Sequence, residues 1–187
     1  MAIVATRDAY YDTGLDVLSD LGYGGLKLAE VCRRLGVTTG SFYHYFENWS
    51  AYTHALIGHW QTESTQEQVN QLRADPDPRR RIDAIIDVGL KLPHGAEAAI
   101  RVWSAIDPQV RAVQEEVDRQ RFEILRDSAM EILGDERQAQ LFAEWAVYIL
   151  VGYEQSTLPP DPVGLAWIGE QMRKALDTGA FASVPPQ

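Results

Sequence analysis

Leu28–Phe46 reads LAEVCRRLGVTTGSFYHYF, and this stretch decides the fold of the N-terminal part of the chain. Apolar residues at helical spacing predict two short helices, at about 28–35 and about 39–45. Gly36 and Val37 join them, since glycine tolerates the positive φ of a sharp turn and valine fills the space between two helices. The segment therefore predicts a helix-turn-helix.

The second of these helices has a composition suited to reading nucleic acid. Its start is small and polar, which lets the main chain approach bases and phosphates closely in the major groove. Hydroxyl and imidazole donors for phosphate oxygens follow it. The residues concerned are Thr38, Thr39, Gly40 and Ser41 at the start, then Tyr43, His44 and Tyr45. The pattern indicates contact with double-stranded DNA.

The remaining sequence predicts an all-α chain of about nine helices, because strand signals are scarce and apolar residues recur at three and four. Prolines and glycines punctuate the pattern. The predicted helices are 3–21, 28–35, 39–45, 50 to just before 75, 79–92, 96–105, 108–133, 136–157 and 162–178. Three parts are expected: a helix-turn-helix domain (1–49), a helical effector-binding and dimerisation domain (50–180), and a disordered tail (181–187).

The N-terminal region resembles the signature of the TetR family of regulators. The matching residues, over about 5–56, are Gly22-Tyr23, Gly36-Val37, Gly40-Ser41-Phe42-Tyr43 and Tyr45-Phe46. The resemblance implies that base edges or nearby phosphates are met by Thr38, Thr39, Gly40, Ser41 and His44. It also implies that Tyr43 contacts a phosphate.

Two positions depart from the family pattern. Lys27 replaces the usual Ser or Thr cap of the second helix and offers a phosphate contact instead. Trp49 replaces a lysine that commonly touches the DNA backbone, so its indole N–H is a donor without charge assistance. We include both residues among the predicted DNA contacts.

The charge of the chain limits how it binds DNA. The formal net charge is −10, and residues 1–54 hold four basic and six acidic side chains. Phosphate neutralisation supplies most non-specific affinity, so an acidic chain is not a general nucleic-acid coat. Arg33 and Arg34 are candidates for phosphate contact or for a solvated surface role. Binding must therefore depend on a few placed contacts.

The C-terminal half predicts a dimer and a ligand site. Residues 141–153, LFAEWAVYILVGY, are apolar on nearly every side, and the last helix has an apolar stripe. By resemblance, the last two helices form a two-fold interface, with candidates Ile149, Tyr153, Leu165, Ile168, Met172 and Leu176. The candidate pocket residues are Trp103, Phe122, Glu144, Trp145 and Tyr148, and each is alternatively plain core. Glu144 needs a partner, such as Arg101, Arg121, the second subunit or a cationic ligand.

These features predict a ligand-responsive regulator, more simply a repressor than an activator, that binds a palindromic operator as a homodimer. Its effector is expected to be hydrophobic or aromatic and to act by moving the fourth helix. The alternative is a helical dimeric interaction protein that has lost DNA binding.

Other classes find little support in the sequence. The four histidines form no HExxH pattern, and there is neither a Gly-rich phosphate loop nor Gly-x-Ser-x-Gly, so no enzyme, metal site or cofactor is expected. The lone Cys32 allows no internal disulfide. No apolar run reaches the roughly eighteen residues of a membrane span. Because Asp8 and Asp12 follow Met1 where a signal peptide would be basic and then apolar, we expect a cytoplasmic protein.

Overall fold

The computed structural model describes residues 5–62 and 67–185, and for residues 67 and 68 it describes the backbone alone. These residues form ten α-helices, one short 3₁₀ helix and no β-strand, which confirms the all-α class. The α-helices are α1 (Arg7–Gly25), α2 (Leu28–Leu35), α3 (Thr39–Phe42), α4 (Trp49–Gln61), α5 (Glu67–Arg73), α6 (Pro78–Lys91), α7 (His94–Ser104), α8 (Pro108–Leu133), α9 (Glu136–Gln155) and α10 (Pro162–Asp177).

Three helices, α6, α8 and α10, begin at an Asp-Pro pair. Asp77, Asp107 and Asp161 accept main-chain N–H groups from the first turns of α6, α8 and α10. A proline in the first turn costs no hydrogen bond, because its missing N–H has no partner within the helix there. The observed starts of these helices agree with the predicted ones to within one residue.

The N-terminal helices differ in detail from the prediction. Gly22, with φ 66° and ψ −176°, breaks α1 after Leu21, where the glycines were expected to end it. The predicted start near Ile3 lies outside the described residues. α3 ends at Phe42, and residues 43–45 form a turn, so the second helix of the motif is shorter than expected. The single helix expected between Ser50 and Asp75 is described as α4 and α5.

The chain packs as two compact units that are interleaved along the sequence. The first comprises residues 1–63 and 93–115. In it, α1 lies directly on α7: the Tyr23 and Trp103 rings stack at 4.8 Å. The buried Trp60 indole of α4 donates to Glu97 Oε1 of α7 at 2.9 Å. The expected functional division after residue 49 remains a prediction, and the packing units do not follow it.

The second unit comprises residues 64–92 and 116–187. Its core is apolar and includes Ile82, Ile124, Phe142 and Met172, drawn from α6, α8, α9 and α10. Arginines fix α10 against α6 at the rim. Arg79 holds Asp177 at 2.7 Å, and the Arg173 Nη2 donates to the Asp83 carbonyl at 3.0 Å.

The predicted disordered tail is corrected at residues 181–183. Ala180–Ser183 form a 3₁₀ helix, and Phe181 is buried with its ring 5.6 Å from that of Phe142. The apolar ring supplies the burial that a disordered tail lacks. Residues 186 and 187 lie outside the described range. Among the described residues, no helix combines the length and the apolar character needed to cross a membrane.

Candidate nucleic-acid interface

The turn between α2 and α3 has the geometry of a helix-turn-helix. Gly36 ends α2 in the left-handed region, with φ 67° and ψ 30°, which glycine adopts without the steric cost of a Cβ atom. The Val37 N–H donates to the Cys32 carbonyl at 3.0 Å and so satisfies a carbonyl at the end of α2. Thr38 then caps α3, because its Oγ1 accepts from the Ser41 N–H at 3.3 Å.

The predicted DNA contacts in α3 and in the turn after it (residues 38–44, the recognition segment) lie mainly on the surface. Thr38, Thr39, Gly40 and His44 are exposed, Tyr43 is 57% exposed, and Ser41 is half-buried. The Thr38 and Ser41 hydroxyls lie 3.2 Å apart and share a hydrogen bond, which commits one of their donors. The recognition segment therefore presents its polar groups to solvent.

Buried aromatic rings anchor the recognition segment from the inside. Phe42 is fully buried, and its ring lies 5.8 Å from Tyr10, 5.1 Å from Phe46 and 5.5 Å from Tyr52. The Tyr52 hydroxyl donates to the Tyr10 carbonyl at 2.8 Å, and burial raises the pKa of this phenol. This aromatic cluster joins α1, α3 and α4, so it fixes the orientation of the exposed residues that flank Phe42.

The two departures from the family pattern have different environments. Lys27 is exposed at the N-terminus of α2, and its side chain forms no capping hydrogen bond. Trp49 is half-buried, with ring centroids 4.9 Å from Tyr52 and 6.0 Å from Phe42. Trp49 therefore packs on the aromatic cluster, while Lys27 keeps an exposed charge. Contact with DNA stays a prediction for both residues.

Arg33 and Arg34 are held by carboxylates. Both atoms of a guanidinium fork on Arg33 donate to Glu30, at 2.8 and 2.7 Å. Arg34 donates to Glu30 at 2.9 Å and to Asp20 of α1 at 2.7 Å. Hydrogen bonds from Arg33 and then Arg34 lower the pKa of Glu30 to about 2. The sequence left open a phosphate role or a surface role for these arginines, and the structure shows them in ion pairs.

The start of α1 contacts the end of the recognition segment, a feature that sequence analysis missed. Arg7 Nη2 donates to the Tyr45 carbonyl at 2.7 Å, and the Tyr45 hydroxyl donates to the Ala5 carbonyl. The Arg7 guanidinium also lies over the Phe46 ring, 5.5 Å from its centroid. No local spacing rule reveals these bonds, because they join residues about forty positions apart.

Residues 11–49 match the family model described as bacterial regulatory proteins of the tetR family. The matched range includes α2, α3 and, from the aromatic cluster, Phe42 and Phe46. The helix-turn-helix region of the chain is therefore similar to that of the TetR family. This confirms the resemblance from which the predicted DNA contacts were taken.

Similarity to known transcriptional regulators extends beyond the matched segment. The HTH-type transcriptional regulator BetI of Proteus mirabilis (strain HI4320) is 26% identical over 161 residues, which are 81% of this chain and 80% of that protein. BetI of Klebsiella pneumoniae (strain 342) is 28% identical over 101 residues, 53% of this chain and 52% of that protein. This second match therefore spans about half of its relative.

Two solved structures share the fold along nearly the whole chain. A transcriptional regulator of Saccharomonospora viridis, solved in complex with choline, superposes with a TM-score of 0.71 at 12% identity and covers 92% of this chain and 95% of that one. FadR of Bacillus subtilis, solved with stearoyl-CoA, has a TM-score of 0.65 at 15% identity and covers 93% and 99%. At these identities the likeness shows the fold alone.

The candidate pocket residues lie in several environments. Trp103 is buried in the first unit, where it stacks on Tyr23 and donates to Asp107 at 3.3 Å. The other four belong to the second unit, where Phe122 and Glu144 are half-buried and Trp145 and Tyr148 are exposed. Within the chain, Glu144 has a partner that was not among those expected: its Oε1 accepts from Gln140 Nε2, one turn earlier on α9, at 2.7 Å.

The candidate dimer residues differ in how far they are buried within the single chain. Leu165, Met172 and Leu176 are buried within a single chain, so the chain's own helices already cover them. Ile149, Tyr153 and Ile168 are half-buried. The large apolar side chains exposed on α9 and α10 are Trp145 (37%), Tyr148 (67%), Val163 (79%) and Trp167 (64%). We call these four residues the exposed apolar face.

Proposed function

We propose that this protein is a ligand-responsive repressor of the TetR family that binds a palindromic operator as a homodimer. One observation carries the proposal: an exposed, polar recognition segment lies on a buried aromatic cluster. Tyr43 and His44 are exposed next to the fully buried Phe42. Such a segment can enter a major groove without rearranging its own core. Because its target is chromosomal DNA, we place the protein in the cytoplasm.

The exposed apolar face supports a second copy of the chain as partner. Trp145 and Tyr148 are three residues apart on α9, and Val163 and Trp167 are four apart on α10, so each pair shares one helix face. Exposed tryptophan and tyrosine are typical of interface hot spots. A two-fold dimer brings two recognition segments to successive major grooves about 34 Å apart, which matches a palindromic operator.

We propose that the effector binds within the second unit. Related structures hold choline and stearoyl-CoA, which differ widely in charge and size. Of the predicted pocket residues, Phe122 and Glu144 are half-buried and so have the partial exposure of a pocket lining. We propose that a hydrophobic or aromatic small molecule binds near them. Binding of this molecule causes the protein to release DNA. The effect is limited by the difference between the molecule's affinities for the protein conformation that fits DNA and the conformation that does not.

Fluorescence anisotropy tests the DNA proposal directly. The probes are the DNA upstream of the protein's own coding region and DNA selected from the genome by the protein, each titrated across a salt series. We expect saturable, sequence-selective binding that weakens with salt and in Tyr43→Phe and His44→Ala. The matched control is His54→Ala, which removes an exposed histidine of α4 outside the predicted contacts. Equal losses in His44→Ala and His54→Ala contradict the assigned interface.

An effector screen follows from the same assay. Choline and stearoyl-CoA are the first two probes, added to the preformed DNA complex. Release by either compound, and its loss in a Glu144→Gln or Phe122→Ala variant, supports the proposed site. Release that persists in both variants places the effector elsewhere.

One alternative has specific support. Arg33 and Arg34 are ion-paired, Trp49 packs on the aromatic cluster, and the net charge is −10. These observations favour a helical dimeric interaction protein that has lost DNA affinity. This alternative predicts a stable dimer with no selectivity for any genome-selected DNA.

A further inference from the structure

Arg7 holds an exposed positive charge beside the recognition segment, although it belongs to another helix. It is the first residue of α1, and its side chain is exposed. Its Nη2 donates to the Tyr45 carbonyl at 2.7 Å, one residue beyond His44. The guanidinium is thus fixed at the C-terminal edge of the surface proposed to meet DNA.

The bonding partner of Arg7 leaves its charge uncompensated. Among the described residues its hydrogen-bond acceptor is a neutral carbonyl, and no carboxylate forms an ion pair with it. Arg33 and Arg34, by contrast, are bonded to Glu30. A guanidinium has five N–H donors, so the Tyr45 bond leaves four for another acceptor.

The guanidinium of Arg7 is also restrained in position. It lies over the Phe46 ring at 5.5 Å, and the Tyr45 hydroxyl donates back to the Ala5 carbonyl. These contacts tie the start of α1 to residues 45 and 46 from both sides. An arginine restrained in this way loses less side-chain entropy when it binds an anion than a free surface arginine does.

We propose that Arg7 is a DNA-backbone contact contributed by α1, with its free N–H groups bound to a phosphodiester oxygen next to the recognition segment. The inference rests on the proposed function, since it needs an operator. It adds a residue to the interface that the helix-turn-helix signature does not contain. It also assigns Arg7 a positioning role, through its bond to Tyr45.

The salt dependence of DNA binding tests this assignment. The binding constant falls with salt, and each lost phosphate contact makes the negative slope of log K against log salt concentration less steep by about 0.9. Arg7→Gln in both protomers therefore makes the slope less steep by about 1.8. The matched control is Arg111→Gln. Arg111 is also an exposed arginine of the first unit, and its guanidinium donates to the main-chain carbonyls of Ser104 and Ala105 at 3.2 and 3.0 Å. We expect Arg111→Gln to keep the wild-type slope.

Arg7→Lys separates charge from geometry. Lysine keeps the charge and therefore the slope, but it lacks the planar fork that bonds Tyr45, so we expect weaker binding at every salt concentration. A wild-type slope in folded Arg7→Gln, or the same decrease in Arg111→Gln, overturns the assignment. If Arg7→Gln loses its helical circular dichroism signal, the test depends on Arg7→Lys alone. In that case, an Arg7→Lys variant with both the wild-type slope and the wild-type affinity overturns the assignment. Failure of the wild-type protein to bind any selected DNA refutes the proposed function itself, and the assignment with it.

Discussion

Gly95 lies where helix α7 packs closely against Ser19 of helix α1. A Cβ atom on Gly95 would lie 2.6 Å from Ser19 Oγ, 2.7 Å from the Ser19 carbonyl oxygen and 3.1 Å from the Ser19 Cα. The hydroxyl can rotate away, but the carbonyl and Cα belong to the backbone of α1. Gly95→Ala therefore forces α7 away from α1, and with it loosens the stacking of Trp103 on Tyr23.

The expected cost is that of overpacking a tight contact, about 1–3 kcal/mol. For a chain of this size that cost lowers the Tm by about 2–12 °C. Gly58→Ala is the control: Gly58 lies inside α4 of the same unit, and its Cβ would meet no heavy atom within 4 Å. Alanine there stabilises the helix by about 0.5–1 kcal/mol, so the two substitutions shift stability in opposite directions.

Thermal and urea unfolding, followed by circular dichroism, measure both variants against the wild type. If Gly95→Ala melts at or above the wild-type Tm, the close contact between α1 and α7 is refuted. If Gly58→Ala loses as much stability as Gly95→Ala, the effect does not come from Ser19.

Three further predictions concern the interface, the ion pairs and the core of the second unit. Trp167→Glu weakens self-association in analytical ultracentrifugation by about 30-fold or more, whereas Ile106→Glu, at a residue 69% exposed outside the exposed apolar face, leaves it unchanged. Because the pKa of Glu30 is lowered from 4.5 to about 2, its ion pairs stabilise the fold above pH 4.5 and lose that effect as the pH falls to about 2. The excess stability of wild type over Glu30→Gln in urea unfolding therefore shrinks across that range, and a constant difference contradicts the pairing. Arg81→Met keeps the buried part of the side chain but removes the hydrogen bonds to Ser128 Oγ at 3.0 Å and to the Asp75 carbonyl at 2.7 Å. We expect it to lower the free energy of unfolding by about 1–3 kcal/mol in urea. An unchanged urea midpoint refutes a stabilising role for these hydrogen bonds.

Much of the helical framework was predictable because local chemistry determines where helices begin. Asp107-Pro108 and Asp161-Pro162 combine a capping carboxylate with a residue that fits only the first turn. The turn at Gly36 was equally predictable, because its left-handed φ favours glycine. The Asp-Pro helix starts and the Gly36 turn each depend only on residues that are adjacent in the chain, so both can be predicted from a single sequence.

The apolar stripe of α10 shows where such reasoning ends. Leu165, Met172 and Leu176 were predicted to lie at a dimer interface, yet all three are buried within the single chain, and Met172 and Leu176 belong to its core. A hydrophobic stripe is driven out of water equally by its own fold and by a second subunit, so its spacing cannot distinguish the two. Trp167 on the opposite side remained unassigned for the same reason.

Only some of the ion pairs made by the arginines of α2 could be predicted from the sequence. Glu30 precedes Arg33 by three positions and Arg34 by four, which is the spacing of helical ion pairs, and this signal was available from the sequence. The bond from Arg34 to Asp20 was not, since it requires α1 to lie beside α2. Charge counts alone therefore overstate the number of cations that are open to a phosphate.

The pairing of those arginines limits the affinity of this acidic chain for random DNA. Affinity for random DNA grows with the number of phosphates that cations neutralise. Among the described cations of residues 5–54, Arg7 and Lys27 form no ion pair with a carboxylate, whereas Arg33 and Arg34 do. A protomer with so few open cations gains little from random DNA. In the proposed complex, hydrogen bonds from Thr39, Ser41 and His44 must then supply a larger share of the affinity, and these depend on the base sequence.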